Sequence, residues 1–207
     1  MLSKYNSLLF VDVETTGLNP TKDKIIDIGA VKIDKLGKIE KYSMLINPGF
    51  KLSKEIRKLT GITIKDLEKA PYIEDVIVEI QSILKADLFI AHNAKFDYEF
   101  FSQELLRLDI PLEIPYLDTI KIAKVFYPNY LSYSLSSIID RMKIIVEKRH
   151  RGLDDAMVLW QLFTKIHNDF GKEELESMID KLFVPGKKRK INIPKTQSSL
   201  FEVKYFN

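Results

Sequence analysis

The sequence predicts an α/β domain built on a mixed β-sheet. Three observations carry that expectation. Short apolar segments rich in strand formers recur at 8–13, 25–33, 39–46, 87–91 and 114–117. Two of them, 25–33 and 39–46, are separated by Leu36-Gly37-Lys38, which suits a hairpin and makes part of the sheet antiparallel. From residue 76 onward, helical spacing alternates with the remaining strands, the pattern of an α/β chain.

Taken in order, 8–13 (LLFVDV) reads as a buried strand, and Thr15-Thr16-Gly17-Leu18-Asn19-Pro20 has the chemistry of a turn. The hairpin strands follow. Val76, Ile77, Ile80, Ile83 and Leu84 then recur at helical spacing. Residues 87–91 (DLFIA) form a short strand, 96–108 a helix and 114–117 a fifth strand. Helical patterns cover about 119–126, 134–142 and 153–168. There is no internal repeat. Beyond Phe183 the character changes: Val184-Pro185-Gly186 breaks any helix, 187–190 is a basic run, and Pro194 follows. The expected organisation is therefore one domain over 1–184 and a flexible basic tail over 185–207.

Composition narrows the class. Hydrophobic residues make up 45% and charged residues 29%, which excludes a disordered or membrane-embedded chain. No apolar run approaches the ~18 residues of a membrane helix. The early run 8–11 is cut off by Asp12, so no signal peptide is expected. The absence of cysteine excludes disulfides and thiolate metal sites and points to a cytoplasmic location. Net charge is +3, unevenly spread: the tail carries six cations against Glu202, which leaves the other 184 residues at −2. A domain that met nucleic acid through a basic surface would look different. If this one handles phosphates, bound divalent cations would have to supply the positive charge.

Asp12 and Glu14 are two apart, so on a strand they face the same way. Paired carboxylates leaving an apolar strand repel and lose hydration, and a cation relieves both problems. The competing reading is that the strand stops at Asp12 and both acids are solvated. Asp97 heads the stripe Asp97, Phe101, Leu105, Leu108, and Asp155 heads Asp155, Leu159, Leu162, Ile166. Each helix thus aims an acid inward from its first turn, where a helix N-terminus alone would also favour an anion. Together the four acids form a cluster suited to hard cations with oxygen ligands, Mg²⁺ or Mn²⁺. His150 lies five residues before Asp155 among Arg149, Arg151 and Gly152, in a loop. His92 follows strand 87–91 and orients the loop to Asn93 in an alternative reading; His167, late in the last helix, has no evident role.

At this point three motifs resemble a known family. Residues 10–20 (FVDVETTGLNP), 90–97 (IAHNAKFD) and 150–156 (HRGLDDA) are similar, in order, to the three motifs of the DEDDh 3′→5′ exonucleases, which include the proofreading epsilon subunits of bacterial replicases. Thr60-Gly61-Ile62-Thr63 and Leu117-Asp118-Thr119 resemble weaker landmarks between them, and Gly152 stands where alanine is common. The resemblance covers roughly 7–168. It implies a ribonuclease-H-like fold with a five-stranded mixed sheet. It also implies Asp12, Glu14, Asp97 and Asp155 as ligands of two divalent ions and His150 as general base. Thr15 and Thr16 would lie near the terminal nucleotide, and Leu18 and Phe96 against bases, although Gly17 also serves the turn and Phe96 also suits a core. Two ions ~3.5–4 Å apart can activate a water and stabilise the leaving 3′-oxygen. They also bring the domain from −2 to +2. Neutral histidine can accept the water's proton near pH 7.

The implied function is hydrolysis of DNA from 3′ ends, single-stranded or frayed, in proofreading or repair, with a DNA polymerase as a candidate partner. An RNA 3′-exonuclease and a non-catalytic nucleic-acid- or polymerase-binding module are the alternatives; the complete acid set with its histidine argues against the module. In the tail, Gln197-Ser198-Ser199-Leu200-Phe201 resembles the peptide by which bacterial replication and repair proteins bind the sliding clamp. Gln197, Leu200 and Phe201 are the expected contacts. Alternatively the apolar tail residues fold back on the domain, and the basic run either touches phosphate or merely solvates the tail. A flexible linker over 185–196 would span roughly 20 Å.

Overall fold

Five strands form one mixed sheet in the order β3-β2-β1-β4-β5: β1 Ser7–Thr15, β2 Ile25–Asp34, β3 Ile39–Leu45, β4 Leu88–Ala91 and β5 Tyr116–Asp118. The computed structural model describes residue 2, residues 4–146 and residues 150–186. β1 to β3 are antiparallel, while β4 and β5 run parallel to β1, as the hairpin and the strand–helix alternation require. The hairpin turns at Gly37, whose φ of 84° is cheap only for glycine, and Asp34 donates its backbone N–H to the Lys38 carbonyl at 3.1 Å.

Strand alternation divides the core in two. Leu8 and Phe10 of β1 pack on one face with Val158, Leu159, Leu162 and Ile166 of α7 (Gly152–Phe170). Leu9, Val11 and Val13 pack on the other with Phe100, Phe101 and Leu105 of α4 (Lys95–Leu106). Asp12 and Glu14 continue the α7 face. The strand does not stop at Asp12. It runs on to Thr15, whose side chain is buried, so Thr15 ends β1 instead of opening the turn. The reading of Asp12 and Glu14 as solvated acids beyond a strand end is thereby excluded.

The stripe from Val76 to Leu84 forms α3 Ile77–Leu84 after a 3₁₀ turn at Ile73–Val76, and three helices add to those expected: α1 Lys54–Thr60, α2 Ile64–Glu68 and α8 Lys172–Leu182. The sequence landmark at 60–63 is a pair of helix caps: Gly61 closes α1 at φ 70°, and Thr63 exchanges capping bonds with Asp66 to open α2. α5 (Thr119–Phe126) and α6 (Leu135–Met142) match their expected positions. The body extends to Val184, which pairs with Tyr116 of β5. The tail residues Gln197, Leu200 and Phe201 lie outside the described residues, as does the basic run. Among the described residues no helix is long and apolar enough to cross a membrane.

Candidate active site

The C-terminal half of β1 meets the first turns of two helices that approach from opposite faces of the sheet. From one side, α4 brings Asp97, whose Oδ1 accepts the backbone N–H of Val13 at 3.1 Å. From the other, α7 brings Asp155, whose Oδ2 accepts the N–H of His150 at 3.1 Å. Ligand atoms of Glu14, His150 and Asp155 lie within 4.8 Å of one another. Asp97 is fastened to the strand between Asp12 and Glu14, and it feels the Glu14 charge. Glu14, His150 and Asp155 thus converge, Asp97 bonds the strand next to Glu14, and Asp12 stands two residues before Glu14 on the same strand.

Electrostatics distinguishes Asp97 from an ordinary helix-end acid. Attraction to a helix N-terminus is worth about 0.3–1 kcal/mol, less than a tenfold change in proton affinity. Asp97 is 3% exposed, and burial pushes its carboxyl up to about 8; Glu14 and Asp118 add to the rise, and the backbone bond from Val13 only opposes it. Burial wins over the helix end, so a carboxylate here needs a cation to stay ionised near neutral pH. Oxygen donors with one imidazole, converging this closely, fit a hard divalent ion.

Residues that sequence reasoning did not single out hold the α7 side. In the β1–β2 register, Asp12 faces Gly29 and Glu14 faces Asp27. A Cβ at Gly29 would stand 1.7 Å from the Gly152 carbonyl carbon, and one at Gly152 would stand 2.9 Å from the Asp12 carbonyl oxygen. Two glycines, Gly29 and Gly152, thus let helix backbone touch strand backbone. Asp27 is fully buried. Its Oδ2 accepts Arg151 Nε at 3.0 Å and Gly152 N–H at 3.3 Å, and Oδ1 has no hydrogen-bond partner among the described residues. Burial raises its pKa against the opposing pull of Arg151. Between these anchors His150 adopts φ 58° in the loop. The acid and glycine two apart in Asp27-Ile28-Gly29 are the only sequence signal, and they acquire meaning only with the strand register.

His92 does not join the cluster. Its Nδ1 shares a hydrogen bond with Thr119 Oγ1 at 2.9 Å, and that hydroxyl also lies 3.2 Å from the Ala91 carbonyl oxygen. Asp118 caps α5 and accepts the N–H of Asn93 at 3.0 Å, shaping that loop. His167 lines an apolar cavity of about 270 Å³ between α7 and the hairpin, which contains none of the acid cluster. Of the expected substrate contacts, Leu18 is 85% exposed, Thr15 and Thr16 bond within their own loop, and Phe96 packs half-buried on Phe100.

The Exonuclease (RNase_T) family model matches residues 9–163. The chain belongs to this exonuclease family. It is 39% identical over 166 residues to the PolC-type DNA polymerase III of Thermotoga petrophila, a match that covers 79% of this chain and 12% of that polymerase. The chain thus spans about an eighth of the length of the polymerases it matches and is homologous to their exonuclease portion. Among solved structures, Exonuclease X in complex with 5′-overhanging duplex DNA is similar at TM-score 0.64 and 26% identity, covering 83% of this chain and 98% of that one. The nuclease domain of 3′hExo, a DEDDh family member bound to rAMP, superposes at TM-score 0.70 with 19% identity, covering 83% and 96%. The sheet order and flanking helices are those of the ribonuclease-H-like DEDDh fold.

Proposed function

We propose that the chain hydrolyses DNA from the 3′ end and releases nucleoside 5′-monophosphates, in replication proofreading or repair. The observation that carries this reading is the convergence of Glu14, His150 and Asp155 within 4.8 Å, beside Asp97 on the same strand end. DNA as substrate is supported by the similarity to DNA polymerases and to Exonuclease X, whose solved complex holds DNA.

In this reading Asp12, Glu14, Asp97 and Asp155 hold two divalent ions, Mg²⁺ or Mn²⁺. Bound there, such ions offset the carboxylates, lower the pKa of water and stabilise a leaving oxygen. The chain's own groups do the rest. His150 accepts the proton of the attacking water, and its backbone bond to Asp155 keeps the imidazole beside that carboxylate. Thr15 and Thr16 shape the floor under the terminal nucleotide. Leu18, held out in solvent, and the half-exposed edge of Phe96 meet bases. The tail motif at Gln197, Leu200 and Phe201 would tether this activity to a sliding clamp and raise its concentration at primer ends.

Purified Asp12→Ala and His150→Ala should lose Mg²⁺-dependent release of mononucleotides from a 3′-labelled strand. Full activity in Asp12→Ala would sink the site assignment. Single-stranded DNA, mismatched duplex and RNA, compared side by side, test the substrate; preference for RNA would replace the DNA reading. Equal clamp affinity for the wild-type tail peptide and a Gln197→Ala, Phe201→Ala variant would remove the tether.

A further inference from the structure

The loop between β1 and β2 leaves an apolar side chain in water and ties down nearly everything around it. Leu18 is 85% exposed at its tip. Asp23 organises the interior: its carboxylate accepts Thr16 Oγ1 at 3.1 Å and Asn19 N–H at 2.8 Å, and it fills the space where a Cβ on Gly17 would stand. Local bonds of this kind shape a loop but do not fix it to the body.

The fixing comes from the far end of α4. Arg107 Nη2 donates to the Pro20 carbonyl at 2.9 Å and to the Thr21 carbonyl at 3.2 Å. Its other terminal nitrogen pairs with Glu104 at 2.9 Å. Glu104 is 1% exposed and also receives Lys24 Nζ at 3.3 Å and the Ile25 N–H at 3.3 Å. Burying a carboxylate under a surface loop is costly unless it is paired and hydrogen-bonded, as this one is. The planar guanidinium reaches helix and loop at once, a geometry lysine cannot reproduce. Asp97 lies seven residues before Glu104, about 10 Å along the helix. One helix therefore carries a carboxylate of the acid cluster at its start and the anchor of the Leu18 loop at its end.

We infer that Arg107 and Glu104 are positioning residues for strand binding: they hold Leu18 at a set distance from the carboxylate cluster so that it packs against a base of the 3′-terminal segment. The inference rests on the proposed function, because it takes the strand end to lie at the cluster. Arg107 contributes to gripping the strand and not to the chemical step.

The test is steady-state hydrolysis of a 3′-labelled single strand by Arg107→Ala, Leu18→Ala and the double variant, with melting curves for each. Burying an otherwise exposed leucine is worth about tenfold or more on truncation. Arg107→Ala should raise KM about tenfold with kcat held, and the double variant should be no worse than the worse single one. Unchanged KM in a folded Arg107→Ala, an equal fall in kcat, or effects that multiply would overturn the inference. If Arg107→Ala does not fold, Arg107→Lys replaces it and should raise KM by less. Absence of wild-type turnover would defeat the functional reading on its own. In that case anisotropy of a fluorescein-labelled oligothymidylate in Ca²⁺ decides: weaker binding by the Arg107 variant sustains the inference, and equal binding ends it.

Discussion

Asp97 and Asp155 do the same thing on opposite faces of the sheet, and they are held there in different ways. Asp97 grips the backbone of β1 itself at Val13. Asp155 grips the backbone of a loop residue, His150. Sheet rigidity places the first directly. The second depends on how α7 seats against β1 and β2, which rests on the Gly29–Gly152 contact and on Asp27. The α4 side is thus set by the strand, while the α7 side is set by backbone contact and a buried charge. Positional damage should be easier to inflict on the α7 side.

Gly29→Ala is the strongest way to break that comparison. The new methyl would start 1.7 Å from the Gly152 carbonyl carbon, and neither backbone is a flexible side chain that can swing away. The helix must lift, carrying Asp155 and the loop with it. Misplacing a catalytic group by about 1 Å can cost on the order of 100-fold in rate, and overpacking costs about 1–3 kcal/mol of stability. We expect a loss of about 100-fold in nuclease kcat at saturating Mg²⁺ by a protein that still folds. Wild-type kcat in Gly29→Ala would show that α7 tolerates displacement and that the contact does not set the site.

This asymmetry also explains what was legible in the sequence. Side-chain direction follows from local period, so the alternation through Asp12 and Glu14 and the stripes headed by Asp97 and Asp155 could be read without a structure. Asp27 and Gly29 could not, because their importance lies in facing Glu14 and Asp12 across a strand pair, a register fact. Arg151 and Gly152 were visible as neighbours of His150 but not as partners of β2. Helices α1 and α2 escaped a periodicity reading because each buries a single residue, Thr60 and Leu67; caps at Ser53 and Thr63 define them instead. α8 buries only Leu175 and Ile179, too few to draw a stripe.

Arg151→Ala probes the same side more gently. It leaves Asp27 buried with only the Gly152 N–H for a partner, and stranding a buried acceptor costs about 1–3 kcal/mol. Chemical denaturation should show a loss of that size, with kcat falling less than in Gly29→Ala. Adding Asp27→Asn should recover part of the stability, since the neutral amide no longer needs the guanidinium. Strict additivity of the two substitutions would mean that the ion pair carries no coupling.

The smallest effect belongs to Asp97, and it is read by pH. In metal-free protein its carboxyl is pushed up to about 8 by burial, against an ordinary value of 3.8. The folded state therefore binds more protons than the unfolded state between those values, and this group's contribution to stability falls as pH rises through that window. Metal-free protein should lose roughly 5 °C in Tm between pH 6 and 8, and Mg²⁺ should reverse the loss by favouring the ionised form. Asp97→Asn, which cannot ionise, should flatten the fall. An unchanged slope in a folded Asp97→Asn would mean that Asp97 is not the group that titrates in this window.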